Sequence, residues 1–276
     1  MPELPEVETI ARTLAPRIKG RRFAAVDLLY RPLVRTGRKS LAGLAGRRVL
    51  DVGRRGKMLI ISLGGGRTLV FHLKMTGQFL FAPEGSPRDK HVRLAFRFED
   101  GGNELLFRDV RKFGFLLCLD GGPRTACREL AALGPEPLEI GLPEFAALLE
   151  ARRGRVKPLL LDQTRIAGIG NIYADEMLFD ARIHPETPAC RLSRRRVERL
   201  HASMRTILAR AIEAGGSSVQ DYRDADGDPG DFQFEHKVYD RTGEPCVVCG
   251  TPIRMTRVGG RSSHFCPKCQ KKPRAR

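Results

Sequence analysis

The chain has 276 residues, enough for two domains of ordinary size, and its apolar content of 41% is typical of a globular protein. It contains no run of about 18 apolar residues and its N-terminus is acidic, so we expect neither a membrane span nor a secretory signal. The net charge of +17 favours a polyanionic partner, usually nucleic acid, although a generally basic or ribosome-associated protein would share that charge.

The first predicted element starts within residues 2–8, PELPEVE. Pro5 suits a first helical turn, and Glu6 and Glu8 complement the positive end of a helix. Apolar residues then recur at helical spacing as far as Leu14, and Gly20 ends the segment. The sequence therefore predicts an N-terminal helix.

The same residues also support a chemical interpretation. Removal of Met1 ahead of the small Pro2 is expected and would leave a terminal secondary amine. Such an amine can attack an aldehyde-like carbon and give an iminium that is already cationic, and Glu3 follows directly to move a proton. Amine nucleophiles that form Schiff bases are an established covalent strategy. Both interpretations can hold together, because a buried helix is a rigid mount for a terminal nucleophile.

Residues 22–119 consist mainly of short β-rich segments, separated by turn signals such as 64–66 and 100–102. Many short strands at this spacing indicate a sandwich or a barrel. We expect a β-sandwich, flanked by the N-terminal helix and by another helix near 124–133 or 143–152. The predicted strands are 22–30, 49–52, 58–63, 68–73, 78–81, 92–98, 104–107 and 115–119.

The pattern changes after residues 134–137, GPEP. Helical periodicity follows in three segments, and a stretch rich in Gly, Ser and Asp then predicts a long mobile loop at 215–230. We therefore divide the chain into a first domain, a linker, a helical domain and a C-terminal hairpin. These predicted parts are 1–134, 135–156, 157–239 and 240–276, and the predicted helices of the third are 159–163, 172–181 and 193–214.

Four of the seven cysteines form two closely spaced pairs near the C-terminus. Cys246 and Cys249 are followed, after sixteen residues, by Cys266 and Cys269. Two such pairs place four thiolates on two tight turns, which suits a tetrahedral zinc with no open coordination position. The sequence predicts one structural zinc; paired disulfides and iron are the alternatives.

Between the cysteine pairs, residues 253–264 predict a β-hairpin that turns at Gly259 and Gly260 and carries Arg254, Arg257 and Arg261. From residue 240 to the end there are nine Lys or Arg residues and two Asp or Glu residues. Zinc bound to four thiolates would remove part of this positive charge. The remainder still fits a hairpin that faces phosphates.

The glycine-rich stretch 167–171, AGIGN, leads directly into a predicted helix. Asn171 is a candidate N-cap, with Asp175 and Glu176 expected in the first turn. The exposed N–H groups of such a turn suit a DNA phosphate, although a plain loop between two helices is an equal alternative. A run of arginines opens the next helix and adds basic surface, or is solvated charge: Arg191, Arg194, Arg195, Arg196 and Arg199.

Two parts of the first domain also carry candidate residues. Lys57 follows Arg54-Arg55-Gly56 on a turn before an apolar strand and could project into a cleft, although a solvated turn lysine is commoner. Met75, Arg111 and Phe113 lie on two loops. Proteins that extrude a base need apolar and arginine side chains to fill the gap and meet the orphaned partner. As isolated residues, these three are more often packing residues.

Residues 2–8, the glycine loop with Asn171 and the four-cysteine finger together resemble bacterial formamidopyrimidine-DNA glycosylases, in order, over residues 2–270. The related endonuclease VIII branch usually has glycine at the position of Leu4, so Leu4 favours the first branch. The resemblance implies an α+β fold with an N-terminal β-sandwich and flanking helices. A C-terminal helix–two-turn–helix domain with a four-cysteine zinc finger would follow, and DNA would lie across the cleft between the domains.

The resemblance also implies roles for single residues. Pro2 would attack the sugar C1′, Glu3 would be the general acid/base, and Lys57 would contact the lesion region or a phosphate and assist catalysis. Glu6 would lie near the flipped base. Lys112 stands where many members have arginine, which keeps the charge but loses the planar fork. The residues expected to bind DNA are Met75, His91, Arg111, Phe113, Lys157, Asn171 and Arg261.

The implied function is base excision repair: a DNA glycosylase and apurinic/apyrimidinic-site lyase that removes 8-oxoguanine and formamidopyrimidines by β,δ-elimination. The partner would be damaged double-stranded DNA, with no membrane and no redox cofactor. We expect a monomer in the cytoplasm, associated with the nucleoid. The alternatives are a non-catalytic zinc-finger protein that binds nucleic acid and an endonuclease VIII-type glycosylase for oxidised pyrimidines.

Overall fold

The computed structural model describes residues 1–35, 41–121, 127–151, 153–219 and 222–272. Cα proximity divides the chain into two units: Met1–Ala132 with Ala214–Asp231, and Leu133–Glu213 with Phe232–Arg276. The helices are α1 (Leu4–Ile18), α2 (Arg128–Ala131), α3 (Leu142–Glu150), α4 (Val156–Leu161), α5 (Asn171–Asp180) and α6 (Arg194–Glu213). The strands are β1 (Phe23–Leu28), β2 (Val49–Arg55), β3 (Met58–Leu63), β4 (Arg67–His72), β5 (Gly77–Pro83), β6 (Val92–Phe98), β7 (Asn103–Asp109), β8 (Phe115–Asp120), β9 (Arg254–Val258) and β10 (Arg261–Phe265).

Helix α1 forms where the sequence predicts it. A capping box joins Glu3 and Glu6 at its start, and Pro5 lies in the first turn, where no intrahelical N–H bond is lost. The buried face of α1 packs against β2 and β3. The helix ends before Gly20, whose φ of +89° is readily adopted only by glycine.

Two four-stranded antiparallel sheets form the first unit, with the orders β1-β6-β7-β5 and β2-β3-β4-β8. All eight predicted strands occur, with bounds that differ by at most a few residues. The β3–β4 hairpin turns at the predicted glycines, and Gly65 and Gly66 both have positive φ there. Alternation and turn chemistry were therefore sufficient to locate the strands.

Phenylalanine rings join the two sheets into a sandwich. Phe71 of β4 lies 5.0 Å from Phe79, 6.4 Å from Phe96 and 5.3 Å from Phe107, measured between ring centroids. All four side chains are fully buried. Loss of one such ring typically costs about 3–5 kcal/mol. This core confirms the predicted β-sandwich.

The second unit contains α3 to α6 and the β9–β10 hairpin, which turns at the predicted glycines. Helix α6 is amphipathic and buries Leu200, Met204 and Leu208 on one face. Helices α4, α5 and α6 match the predicted segments, although α4 begins earlier, at Val156. Helix α2 belongs to the first unit and α3 to the second. Residues 124–126 of the predicted helix 124–133 lie outside the described residues.

The segment 214–231, predicted as a loop, contains no regular helix or strand in its described part and groups with the first unit. Ala225 N–H donates to Thr13 Oγ1, and Arg17 forms an ion pair of 2.7 Å with Asp226, so the segment packs on α1. Residues 220 and 221 of this predicted loop lie outside the described residues. Among the described helices, none has the length and apolar character that a membrane crossing requires.

Candidate functional site

Pro2 and Glu3 are both buried at the start of α1. The Glu3 carboxylate accepts the N–H of Glu6, and Glu6 Oε2 accepts the N–H of Glu3 at 2.7 Å. Because these reciprocal bonds fix the backbone of the first turn, Pro2 is attached to a rigid element. Met1 lies outside this turn with 47% of its surface exposed.

Glu6 also holds the 214–231 segment. Its second carboxylate oxygen accepts the N–H of Ser217 at 2.8 Å, and its carbonyl accepts the hydroxyl of Tyr222 at 3.3 Å. Burial, then the charge of Glu6, raises the pKa of Tyr222, so the phenol stays a donor. At Gly216, with φ of +84°, a Cβ would lie 2.9 Å from Glu6 Cγ, so only glycine fits. The sequence alone did not indicate this contact.

Lys57 lies on the turn between β2 and β3, as predicted, but only 6% of it is exposed. A solvated turn lysine is therefore ruled out. Helix α1 packs on these two strands, and Arg54 of β2 donates to Glu8 of α1 at 2.8 Å. The structure thus places Pro2, Glu3 and Lys57 on neighbouring elements of one unit.

His72 pairs with Met58, the residue after Lys57, across β3 and β4. Burial, together with the positive charges of Lys74, Lys57 and Arg35, lowers the pKa of His72 to about 3. The imidazole is therefore neutral at physiological pH, and its Nδ1 accepts the N–H of Lys74 at 3.1 Å.

Acid should destabilise the protein through His72. In the unfolded chain the imidazole regains its ordinary pKa of 6.5, so below that pH the unfolded state binds a proton that the folded state does not. The contribution of neutral His72 to the free energy of unfolding is complete above pH 6.5. It is lost as the pH falls toward 3, at a rate of at most about 1.4 kcal/mol per pH unit. His72→Asn, which keeps an acceptor for Lys74, should lose less unfolding free energy between pH 7 and pH 5 in urea titrations. Equal losses in both proteins would contradict the assignment.

Met75, Arg111 and Phe113 meet on two loops of the sandwich. Arg111 Nη1 lies 3.0 Å from Met75 Sδ, and its guanidinium carbon lies 4.9 Å from the centre of the Phe113 ring. Met75 is 38% exposed and Phe113 is 50% exposed. These side chains therefore form a small exposed surface of apolar and charged groups. They are not core packing residues, which was the alternative interpretation of the sequence.

A buried carboxylate, not identified from the sequence, joins these two loops. Asp109 accepts the hydroxyl of Thr76 at 2.5 Å and the N–H of Gly114 at 2.8 Å. The Thr76 hydroxyl accepts the N–H of Arg111 at 3.0 Å. The N–H of Asp109 donates to the carbonyl of His91, which places His91 beside this network, partly buried. No local pattern marks an aspartate at a strand end as such a junction.

Each of the two loops also contains a non-glycine residue in the left-handed region. Lys74 has φ of +53° and Lys112 has φ of +59°. Such conformations are uncommon for residues with a Cβ and persist where surrounding bonds impose them. The Asp109 network supplies such bonds at Thr76, Arg111 and Gly114, so we expect the conformation of both loops to depend on it.

Asp109→Asn should therefore destabilise the protein and disorder the two loops. An amide cannot accept both bonds with the strength of a carboxylate, and bonds to a charged group contribute about 1.5–3 kcal/mol each. We expect a loss of about 2–3 kcal/mol in urea unfolding, with weaker protection of loop amides in hydrogen exchange. Asp120→Asn, at an exposed position with an ion pair to Arg67, is the matched control. If both variants have the same stability, the network is not needed.

In the second unit, the start of α5 differs from the prediction. Gly170 is the N-cap and Asn171 is the first helical residue, so the predicted Asn171 cap is wrong. The first turn holds no acidic residue; Asp175 and Glu176 lie in the second turn and are buried. The Glu176 carboxylate accepts three consecutive N–H groups, and burial raises its pKa.

Lys157, Asn171 and Arg261 are brought together around Ser262. Asn171 Nδ2 lies 3.2 Å from Ser262 Oγ, and Lys157 Nζ donates to the Ser262 carbonyl. Lys157 has no exposed surface and forms an ion pair of 2.6 Å with Asp175. Arg261, at the start of β10, is exposed. Of the three, only Arg261 offers a fully accessible charge.

The arginines at the start of α6 are largely exposed, as the sequence suggested. Arg194 pairs with Glu198 at 3.0 Å. Some burial, then repulsion from Arg196, Arg195 and Arg182, lowers the pKa of Arg199, so these charges lie near one another. They form a basic surface on the second unit.

The four paired cysteines converge at the base of the β9–β10 hairpin. Their Sγ atoms all lie within 4.8 Å of one another. Cys249 Sγ is 3.5 Å from Cys266 Sγ and 3.6 Å from Cys269 Sγ. A tetrahedral zinc with Zn–S bonds of about 2.3 Å needs sulfurs about 3.8 Å apart. The donor set therefore fits such an ion, and the cysteines are not paired as disulfides.

Three family models match the chain. They are the formamidopyrimidine-DNA glycosylase N-terminal domain at residues 1–116, the formamidopyrimidine-DNA glycosylase H2TH domain at residues 133–223, and a zinc finger found in FPG and IleRS at residues 243–272. The last range contains all four clustered cysteines. The matches follow the order in which the sequence presents its three motifs.

Full-length relatives carry the same name. Formamidopyrimidine-DNA glycosylase of Solibacter usitatus is 48% identical, with 99% of this chain and all of the relative covered. Among solved structures, MutM (Fpg) of Thermus thermophilus is 44% identical, with a TM-score of 0.88 and coverage of 99% and 100%. Lactococcus lactis Fpg, solved with abasic-site DNA, is 38% identical, with a TM-score of 0.89 and coverage of 98% and 100%. With its motifs in the same order and full-length identity of this size, the chain belongs to the formamidopyrimidine-DNA glycosylase family.

Proposed function

We propose that the protein is a bifunctional DNA glycosylase and apurinic/apyrimidinic-site lyase that removes oxidised purines from double-stranded DNA. The substrates would be 8-oxoguanine and formamidopyrimidines. The observation that carries the proposal is the buried, doubly hydrogen-bonded start of α1, which mounts Pro2 and Glu3 on one rigid turn. Related proteins were solved with abasic-site DNA and with Fapy-dG DNA.

The first step requires removal of Met1, since Pro2 is otherwise an amide. The freed nitrogen of Pro2 would attack C1′ of the damaged nucleotide. A bond forms between this nitrogen and C1′, the bond from C1′ to the base breaks, and the base leaves with the electron pair and takes a proton. Glu3 would protonate the ring oxygen as the sugar opens, giving a cationic iminium.

The lyase steps follow from the iminium. It acidifies the C2′ proton, so loss of that proton expels the 3′ phosphate by β-elimination. A second elimination expels the 5′ phosphate, and water hydrolyses the remaining sugar from the amine. No oxidant or reductant is consumed. Lys57, held at low exposure on a turn next to α1, would stabilise the phosphate or lesion side of this site.

The other residues would bind the duplex. Met75, Arg111 and Phe113 would occupy the space left by the extruded nucleotide, and His91 would lie beside them. Asn171 and Arg261, supported by Lys157, would hold phosphates near the lesion. One structural zinc on the four cysteines would keep the hairpin that carries Arg261 folded. The protein would act as a monomer in the cytoplasm, associated with the nucleoid.

Parallel excision assays test the substrate class. Duplexes that contain 8-oxoguanine should be cut to a one-nucleotide gap with phosphates at both ends, and duplexes that contain thymine glycol should be cut more slowly. Faster cutting of thymine glycol would favour the second candidate, a glycosylase for oxidised pyrimidines. That candidate gains support because Lactococcus lactis Fpg was also solved with DNA that contains an oxidised pyrimidine.

A further inference from the structure

A buried ion pair lies beneath the proposed phosphate-binding residues of the second unit. Lys157 of α4 and Asp175 of α5 form it, and neither side chain has exposed surface. A buried charge pair is retained at a cost in desolvation, and it stabilises little by itself. Its contacts indicate what it does here.

Asp175 bonds to two further elements of the unit. One carboxylate oxygen forms the ion pair with Lys157 Nζ at 2.6 Å. The other accepts the backbone N–H of His264, on strand β10, at 2.9 Å and lies 3.1 Å from His264 Nδ1. The His264 ring also packs edge-on against Tyr239, 5.1 Å away. One carboxylate therefore links α4, α5 and the hairpin.

This linkage sets the position of the groups proposed to bind phosphate. Lys157 is bound to the carbonyl of Ser262, the residue after Arg261, and Asn171 is bound to the Ser262 hydroxyl. Oδ1 of Asn171 is buried and accepts no hydrogen bond from the residues that the structure describes. The Asn171 amide is thus oriented through Ser262.

We propose that Asp175 is a positioning residue for DNA binding, and that Lys157 acts through it rather than by touching a phosphate. The inference rests on the proposed function and names a residue outside the assigned site. Asp175 binds Lys157 and His264, and these contacts hold β10 against α4 and α5. Asn171 and Arg261 are then positioned to bind the same stretch of the DNA backbone. At the hairpin tip, a Cβ at Gly259 would lie 2.9 Å from Pro158 Cγ, so the hairpin has little room to shift.

The sign of the effect on binding distinguishes this role from simple electrostatics. Asp175→Asn raises the net charge by one, and long-range attraction alone would then strengthen DNA binding. Loss of positioning should instead weaken it. We expect Kd for a duplex with a tetrahydrofuran abasic analogue to rise about tenfold or more. The slope of log K against log salt should fall by about 0.9 for each phosphate that the variant no longer neutralises.

Three comparisons complete the test on the full, zinc-loaded chain. Asp240→Asn makes the same charge change at a residue whose φ of +59° suits asparagine, and it should bind DNA at least as tightly as the unaltered protein does. Arg261→Gln gives the slope change expected when a single phosphate is no longer neutralised. In single-turnover excision, Asp175→Asn should need about tenfold more enzyme to reach half of its maximal rate, because the change acts on DNA binding.

Two results would overturn the proposal: binding by Asp175→Asn as tight as that of Asp240→Asn, or weaker binding with an unchanged salt slope. If Asp175→Asn fails to fold, as thermal melting or zinc content would show, the double variant Lys157→Met/Asp175→Asn removes both buried charges. That variant should fold, bind weakly and show the reduced slope, and tight binding would refute the role. The binding results do not require base excision, so a failure of the proposed activity would be seen separately.

Discussion

Replacing Pro2 with glycine should reduce covalent trapping of the protein on 8-oxoguanine DNA in the presence of borohydride by on the order of a hundredfold or more. Proline is a secondary amine and forms a cationic iminium directly, whereas glycine is a primary amine and forms a neutral imine that becomes cationic only on protonation. Borohydride reduces the iminium to a stable amine, so the yield of cross-linked protein measures the intermediate. Gel quantification at fixed DNA occupancy reads this yield.

Chains that retain Met1 provide a control with the natural sequence. They differ from processed chains only in that the Pro2 nitrogen is acylated, so they should not be trapped. The trapped fraction of a preparation should therefore equal the fraction of chains that mass spectrometry finds without Met1. Pro5→Gly, in the same helical turn, tests for a general effect of losing a proline and should trap normally. Full trapping by Pro2→Gly would refute the assigned nucleophile. Absence of trapping in the unaltered, processed protein would favour the non-catalytic binder.

Removal of the metal should weaken binding to lesion DNA by about a hundredfold or more, without unfolding the sandwich. The hairpin has a very small core, formed by Phe179, Val238 and Ile253 with Cys246 and Cys266. So few side chains cannot hold a hairpin folded, whereas zinc binding contributes about 10–16 kcal/mol in such domains. Without the metal, Arg261 no longer has a rigid mount, and Ser262 no longer holds Lys157 and Asn171 in place.

The measurement combines chelation with DNA binding and circular dichroism. The strand signal of the first unit should persist after chelation, and zinc readdition should restore binding. Cys266→Ser should reproduce the loss, whereas Cys118→Ser, at a buried cysteine of β8 outside the cluster, should retain both metal and binding. Loss of all strand signal would contradict the expectation that the sandwich stays folded without the metal. Undiminished binding by the metal-free protein would contradict the role of the metal in DNA binding.

Local patterns predicted most of the elements. The eight strands of the sandwich occur because alternating apolar residues and glycine turns are signals that each segment carries by itself. The helix after Gly170 also occurs, but its cap was misplaced by one residue. Asparagine and glycine are both frequent at N-caps, so the two neighbours could not be separated by preference alone.

Contacts between distant segments were not predictable. Glu6 and Ser217 are far apart in the chain, and nothing near either residue indicates their bond. The same holds for Asp109, which joins two loops, and for Asp175, which was expected in the first turn of a helix and is instead buried in the second. A side chain's partner depends on which segments pack together, and that is a property of the whole fold.

By itself, the sequence determined the sandwich, the helices of the second unit and the cluster of four cysteines, because each rests on spacing within a short segment, and it determined the family through three such segments in order. Only the tertiary structure decided that Lys57 and Lys157 are both buried and that Arg111 lies against Met75 and Phe113. It also decided which carboxylates hold these groups. Burial and hydrogen-bond partners come from chain segments that meet only on folding, and no local spacing encodes them.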